Sequence, residues 1–508
     1  MRIERENMST GLKLDSIFTD GLVFQRGKVL EVYGMAKEGT KVTVEMCGQT
    51  VSAISNLEGW KVNLSPLKVG GPFSMTVYTN EEEVVVKDIL VGDVYIAAGQ
   101  SNMEFMLKDS LGGEEEIKKA NYSQIRFFNV PRIEYEDENV TIPRLEEGKW
   151  LSCNLENIKE ISAVAYHFAK NIQRDINIPI GIIGCNKGGT SASCWVSEEY
   201  LAKDKGVKEC YLDTYFNEIK NLTMEMEDNN IKEYENILAD YNKKVSEYIT
   251  KYPERSRERL KKDVGHTPWP PPIGRKSFLR PCGLYNTMLK KISGVKAKAV
   301  LWYQGEEDTK KAELYEALLK LLIENWREVF KDEKLPFICV QLPSYNDDKE
   351  GHNWPVLREA QLNVSKSVEN VELVVAIDCG EEFNIHPVEK TTIGERLALM
   401  AKELIYKKDV NGHSPIFKAA EVRGEEIIIY FENSEELSIK GEKIIGLQVS
   451  EDGREFIIPE AYIKDENIVI KNSKKIRYRY IRYGWANYTD ANIYNKSGLA
   501  VCPFNSEI

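Results

Sequence analysis

Four separated places in the chain carry residue types that together could run acyl transfer. Gly99-Gln100-Ser101-Asn102-Met103 puts a hydroxyl just past an apolar run, Val94-Tyr95-Ile96-Ala97-Ala98. Gly188-Gly189 closes a turn after a second apolar run, Ile178–Ile183. Gln304 follows a third, Lys298–Tyr303, and His386 follows a fifth, Val371–Asp378. A serine with a general base and aligned donors is the minimum for a covalent acyl intermediate. Bare backbone N–H groups on a glycine turn can face a developing negative charge. The local pattern around Ser101 also fits a serine that caps a helix, with Glu104 as a weak capping box.

The elements that must position these groups read as buried strands alternating with helices. Gln124–Val130 and Phe337–Leu342 are further strands. Helical periodicity covers Ser162–Ile176, Leu284–Ile292, Lys311–Phe330, Trp354–Val368 and Thr391–Tyr406. Strand ends of one parallel sheet converge on one crevice. Of the 5 histidines, His386 alone sits just after a strong buried strand and on a loop entering a helix. His167 lies within an amphipathic helix and His413 in a Gly-Ser-Pro linker.

Short β runs with Gly-containing turns fill residues 1–90 and predict a β-sandwich. The middle, 91–408, is the α/β region, and 409–508 returns to short β runs. Residues 200–265 are polar and helix-favouring, an expected helical insertion over the core. Tyr234, Ile237, Leu238 and Tyr241 give it one apolar face. Trp269, in a stiff Pro-Trp-Pro-Pro-Pro segment, is a candidate for stacking on a sugar ring, with simple packing the stronger alternative.

The chain has 508 residues, 42% of them hydrophobic, enough for several cores. Its 68 basic and 80 acidic residues leave a charge of −12. An acidic chain without a basic stripe argues against a nucleic-acid partner. No secretory signal and no membrane-spanning run is visible. The 9 scattered cysteines fit reduced thiols. A cytoplasmic location is therefore expected. Glu306-Glu307-Asp308 lacks histidines at ligand spacing, so neither a metal nor a cofactor is expected.

The motifs resemble those of the sialate O-acetylesterases, members of the SGNH hydrolase superfamily of carbohydrate acetylesterases. Gly99-Gln100-Ser101-Asn102-Met103 is similar to the nucleophile block. Gly188-Gly189-Thr190 with Trp195, Trp302-Tyr303-Gln304-Gly305-Glu306, Leu284-Tyr285-Asn286-Thr287-Met288 and Ile385-His386-Pro387 with Lys390 are similar to further blocks. The likeness extends to Val23-Phe24-Gln25-Arg26 and to Arg482-Tyr483-Gly484-Trp485. The resemblance implies an α/β fold: an SGNH-type parallel-sheet α/β/α hydrolase core flanked by N-terminal and C-terminal all-β domains. It implies Ser101 as nucleophile and His386 as base. The oxyanion would be held by the N–H of Ser101, a glycine N–H at Gly188 or Gly189, and the side-chain amide of Gln304. Gln100, Asn102, Glu306 and Trp269 would contact an O-acetylated carbohydrate.

One position departs from the family pattern. These hydrolases carry an acid shortly before the histidine, where this chain has Phe383 and Asn384. Asn384 is the expected orienter of the imidazole, with Glu382 the alternative and Asp378 or Glu306 behind it. Three functions stay open at this point: removal of O-acetyl groups from sialic acid, the same chemistry on another glycan such as xylan, and carbohydrate binding without catalysis.

Overall fold

The computed structural model describes residues 11–135, 148–255, 257–347, 349–473 and 476–508. The first ten residues, part of the stretch read for a leader, lie outside them.

One strand, Glu83–Gly99, ties the molecule together. Its first half pairs antiparallel with Gly70–Tyr78 and parallel with Val23–Gln25, within the N-terminal β region. Its second half runs between Ile180–Asn186 and Ala299–Tyr303, parallel to both. The expected boundary at 90/91 thus falls inside a continuous strand. The reason is compositional: apart from Gly92 and Asp93, which pairs with Arg26, Val91 to Ala98 is apolar chain, and all of it is buried.

The strand order is Trp150–Asn154, Asn121–Asn129, Ile180–Asn186, Glu83–Gly99, Ala299–Tyr303, Phe337–Val340, Val371–Val374. All neighbours are parallel except the edge strand Trp150–Asn154, which is antiparallel. Alternate side chains go to opposite faces. Tyr95, Ala97, Ile180 and Leu301 pack with the helices Ala163–Ile176 and Thr391–Leu404. Ile96, Ala98, Ile183 and Trp302 pack with Ala312–Val329 and Trp354–Ser367 on the other face. The architecture is a mixed α/β sheet between helical layers, with further all-β sheets at both ends of the chain. The C-terminal region has a four-stranded sheet and a three-stranded one around their own apolar cluster.

Register sets the crevice. Gly99 lies level with Asn186 on one side and with Tyr303 on the other. Three chain segments therefore leave the sheet at one height, carrying Ser101, Gly188 and Gln304. Gly99 itself has φ +138°, and a methyl group there would meet Tyr303 O at 2.0 Å. Only glycine fits that turn.

The insertion is helical as expected, led by Met224–Lys251 and Arg257–Val264. Its packing differs from the expectation of an apolar face. Ile237 is 50% exposed, and the one buried residue described on the long helix is Glu227. Tyrosine hydroxyls hold it instead: Tyr234 to Pro268 O at 3.0 Å and Tyr241 to Gly265 O at 3.3 Å.

The linker histidine has a structural task. His413 lies between Glu403 (Nδ1, 3.1 Å) and Glu372 (Nε2, 3.2 Å), and Asn495 donates to its carbonyl at 3.1 Å. The hydrogen bond to Glu372, with Glu403 assisting, raises its pKa. A raised folded-state value stabilises below the ordinary histidine pKa and is lost as pH rises through the folded value. His413→Gln is therefore expected to lower the melting temperature at about pH 6 and to have less effect above about pH 8. Melts of both proteins across that range check it. A gap that widens with pH would contradict it.

Candidate active site

Ser101 opens a short helical turn, Ser101–Glu104, directly beyond the central strand. The first N–H groups of such a turn have no intrahelical acceptor. Its Oγ lies 2.7 Å from His386 Nε2. That is hydrogen-bond distance for a hydroxyl and the imidazole that would take its proton. Two groups 285 residues apart in sequence are thus brought together by the parallel sheet. The helix-capping alternative for Ser101 does not describe this contact.

The glycine turn reaches the same place. A methyl group on Gly188 would meet Ser101 Cβ at 3.3 Å. The Gly188 N–H donates to Glu104 Oε2 at 2.5 Å, and Glu104 also pairs with Arg132 at 2.8 Å. Gly189, at φ +74°, lies under the Trp269 ring, so close that a methyl group there would meet it at 2.2 Å. Trp269 is 43% exposed, which leaves ring surface for a ligand.

Gln304 corrects the expectation of a side-chain oxyanion donor. Its amide donates to Thr190 O at 3.0 Å and to Asp308 Oδ2 at 2.7 Å, while Oε1 accepts from Tyr315. Both N–H groups are committed inside the fold and the side chain is fully buried. Gln304 braces the glycine turn. Asp308 continues the brace, accepting from Ser191, Ala192 N and Tyr211.

Gln100, Asn102 and Glu306 are likewise corrected as sugar contacts, because all three are buried under the site. Gln100 Oε1 accepts from Gly305 N at 3.2 Å. Asn102 donates to Glu306 Oε1 at 2.5 Å and to Ile385 O at 3.0 Å, and accepts from Lys390 Nζ at 2.6 Å. Burial raises the Glu306 pKa and pushes Lys390 down to about 8. Lys390 is the part of the site that sequence reasoning left without a role. The signal was Lys390 in the histidine motif.

The candidates for orienting the imidazole have other hydrogen bonds. Asn384 donates to His386 O at 2.7 Å and to Glu381 at 3.0 Å, and accepts from His386 N at 3.2 Å. It shapes the histidine loop through its main chain. Glu382 faces Asn346. Asp378 forms a two-pronged ion pair with Arg396 at 2.6 and 2.7 Å. The insertion touches this loop too, with Lys261 donating to Phe383 O at 3.0 Å. Glu307, next to the buried Glu306, has its pKa raised to about 7 by burial and by Asp308.

The family model for carbohydrate esterases of the sialic acid-specific acetylesterase kind matches residues 273–403, which include Gln304, His386 and Lys390. The sialate O-acetylesterase of Mus musculus is 27% identical over 472 residues, 85% of this chain and 80% of that one. The chain is similar to the sialate O-acetylesterases over most of its length. The human sialate O-acetylesterase is 25% identical over 442 residues, 80% of this chain and 73% of that one. A crystal structure of a carbohydrate acetylesterase from Xanthomonas citri superposes with a TM-score of 0.77 at 26% identity, covering 97% of this chain and 99% of that one. The protein is a carboxylic ester hydrolase. These matches cover most of the chain, well beyond one motif.

Proposed function

We propose that the protein removes O-acetyl groups from sialic acid by way of an acetyl-enzyme on Ser101. The observation that carries the chemistry is the 2.7 Å contact between Ser101 Oγ and His386 Nε2 at the open ends of parallel strands. His386 takes the Ser101 proton as Oγ attacks the acetyl carbonyl. The oxyanion forms against the N–H groups of Ser101 and the glycine turn. Gly188 joins them once Glu104 gives up its N–H, and Gly189 lies next to it. The sugar hydroxyl leaves with the proton held on His386. Water, deprotonated by the same imidazole, then releases acetate.

The core on which this runs is of the SGNH type in our reading, supported by the order of its parallel strands and the serine after the central one. Trp269 supplies a stacking face for the sugar. Sialic acid is favoured over xylan because the relatives matching most of the chain are named for it. The test compares acetate release from O-acetylated sialic acid and from acetylated xylan. Release from sialic acid, at a rate well above xylan, is the expected result. Release from xylan alone would overturn the substrate while leaving the chemistry.

A further inference from the structure

Asn102 directly follows the nucleophile, and Ile385 directly precedes the base. One hydrogen bond joins them, Asn102 Nδ2 to Ile385 O at 3.0 Å. The same amide is gripped at both ends. Its second N–H goes to Glu306 Oε1 at 2.5 Å, and its oxygen accepts from Lys390 Nζ at 2.6 Å. An ammonium on the oxygen and a carboxylate on the nitrogen permit one orientation. A flipped amide would set its N–H groups against the ammonium and its oxygen against the carboxylate. The Asn102, Glu306 and Lys390 side chains are 0%, 6% and 1% exposed, so no water relieves a wrong orientation.

We infer that Lys390 and Glu306 are positioning residues that fix the Asn102 amide, and through it the distance between Ser101 and His386. The inference rests on the reading of those two as nucleophile and base. Several features favour this role over a merely structural one. A buried ammonium is costly and needs partners. Lys390 finds its counter-charge in Glu306 and lies 5.0 Å from the Phe105 ring centre and 5.8 Å from that of Tyr303. Hydrogen bonds with a charged partner are short and strong. They are placed on a side chain that spans the serine turn and the histidine loop. The Glu306 Oε2 atom is buried without a hydrogen-bond partner, and Oε1 accepts from Asn102.

The variant Lys390→Met keeps the apolar stem and removes the ammonium. Hydrolysis of 4-nitrophenyl acetate is measured for it, for wild type and for Ser101→Ala, and the variant is crystallised. The expected result is a kcat lowered about 10²-fold at unchanged KM, the size of loss that a misplacement of about 1 Å produces. The Ser101–His386 hydrogen bond is then expected to be open in the crystal. A folded variant with wild-type kcat would overturn the inference. So would a lost kcat with that hydrogen bond intact, or a raised KM alone, which would mark Lys390 as a substrate contact. If Lys390→Met does not fold, Lys390→Met with Glu306→Gln removes both charges together and is read the same way. Full activity in Ser101→Ala would instead refute the reading of Ser101 as nucleophile. The crystal distance would still decide whether Lys390 sets the geometry of the pair.

Discussion

Ser101→Ala is expected to lower kcat for 4-nitrophenyl acetate by about 10⁶-fold, with little change in melting temperature. The size follows from what the hydroxyl does. It supplies the attacking atom, and it lies 2.7 Å from His386 Nε2. The residual rate comes from the backbone donors and from binding, which do not depend on the hydroxyl. The fold is spared because Ser101 sits at the mouth of the crevice, while the strand behind it is held by Gly99, Tyr303 and the buried apolar run. Initial rates and a melting curve on the same preparation check both halves. A loss of about 10-fold or less in folded protein would mean that the ester is cleaved without Ser101.

His386→Ala is expected to cost nearly as much, and the double variant no more than the larger single loss. Serine and histidine act as one unit, because the imidazole matters only through the proton it moves for Oγ and for water. Independent contributions would multiply; a shared proton does not. Rates for the two single variants and the double variant form the cycle. Losses that multiply would separate the two residues and contradict the 2.7 Å contact as the working pair. In both variants Asn384 and Glu381 still hold the main chain of the histidine loop.

Much of this was legible in the sequence, for physical reasons. Strands buried on both faces are continuous apolar runs, so Val94–Ala98, Ile180–Ile183 and Ala299–Tyr303 announce themselves. Their ends in one parallel sheet must converge, which brought Ser101, Gly188 and His386 together on paper. Helical periodicity over Ser162–Ile176 matches the helix Ala163–Ile176, whose start is capped by Ser162 Oγ accepting from Ala165 N at 3.1 Å. Gln304 and Asn102 were illegible because a polar side chain beside a nucleophile looks the same in sequence whether it faces the crevice or the core. Only partners far along the chain, Asp308 and Thr190 for one, Glu306 and Lys390 for the other, decide it. The insertion misled for a related reason. Its 3.6-residue apolar repeat is real, yet the long helix is held by the hydroxyls of Tyr234 and Tyr241, which no periodicity reports. The continuity of Glu83–Gly99 was hidden because a strand can change neighbours without any change in its own pattern.

The measurement that tests the central claim most directly is rapid quenching of the enzyme during turnover of O-acetylated sialic acid, followed by peptide mass analysis. Ser101 is expected to carry one acetyl group, at a level that rises before steady acetate release begins and is absent from Ser101→Ala. Steady release with no acetyl on Ser101, or with the acetyl on another side chain, would contradict it.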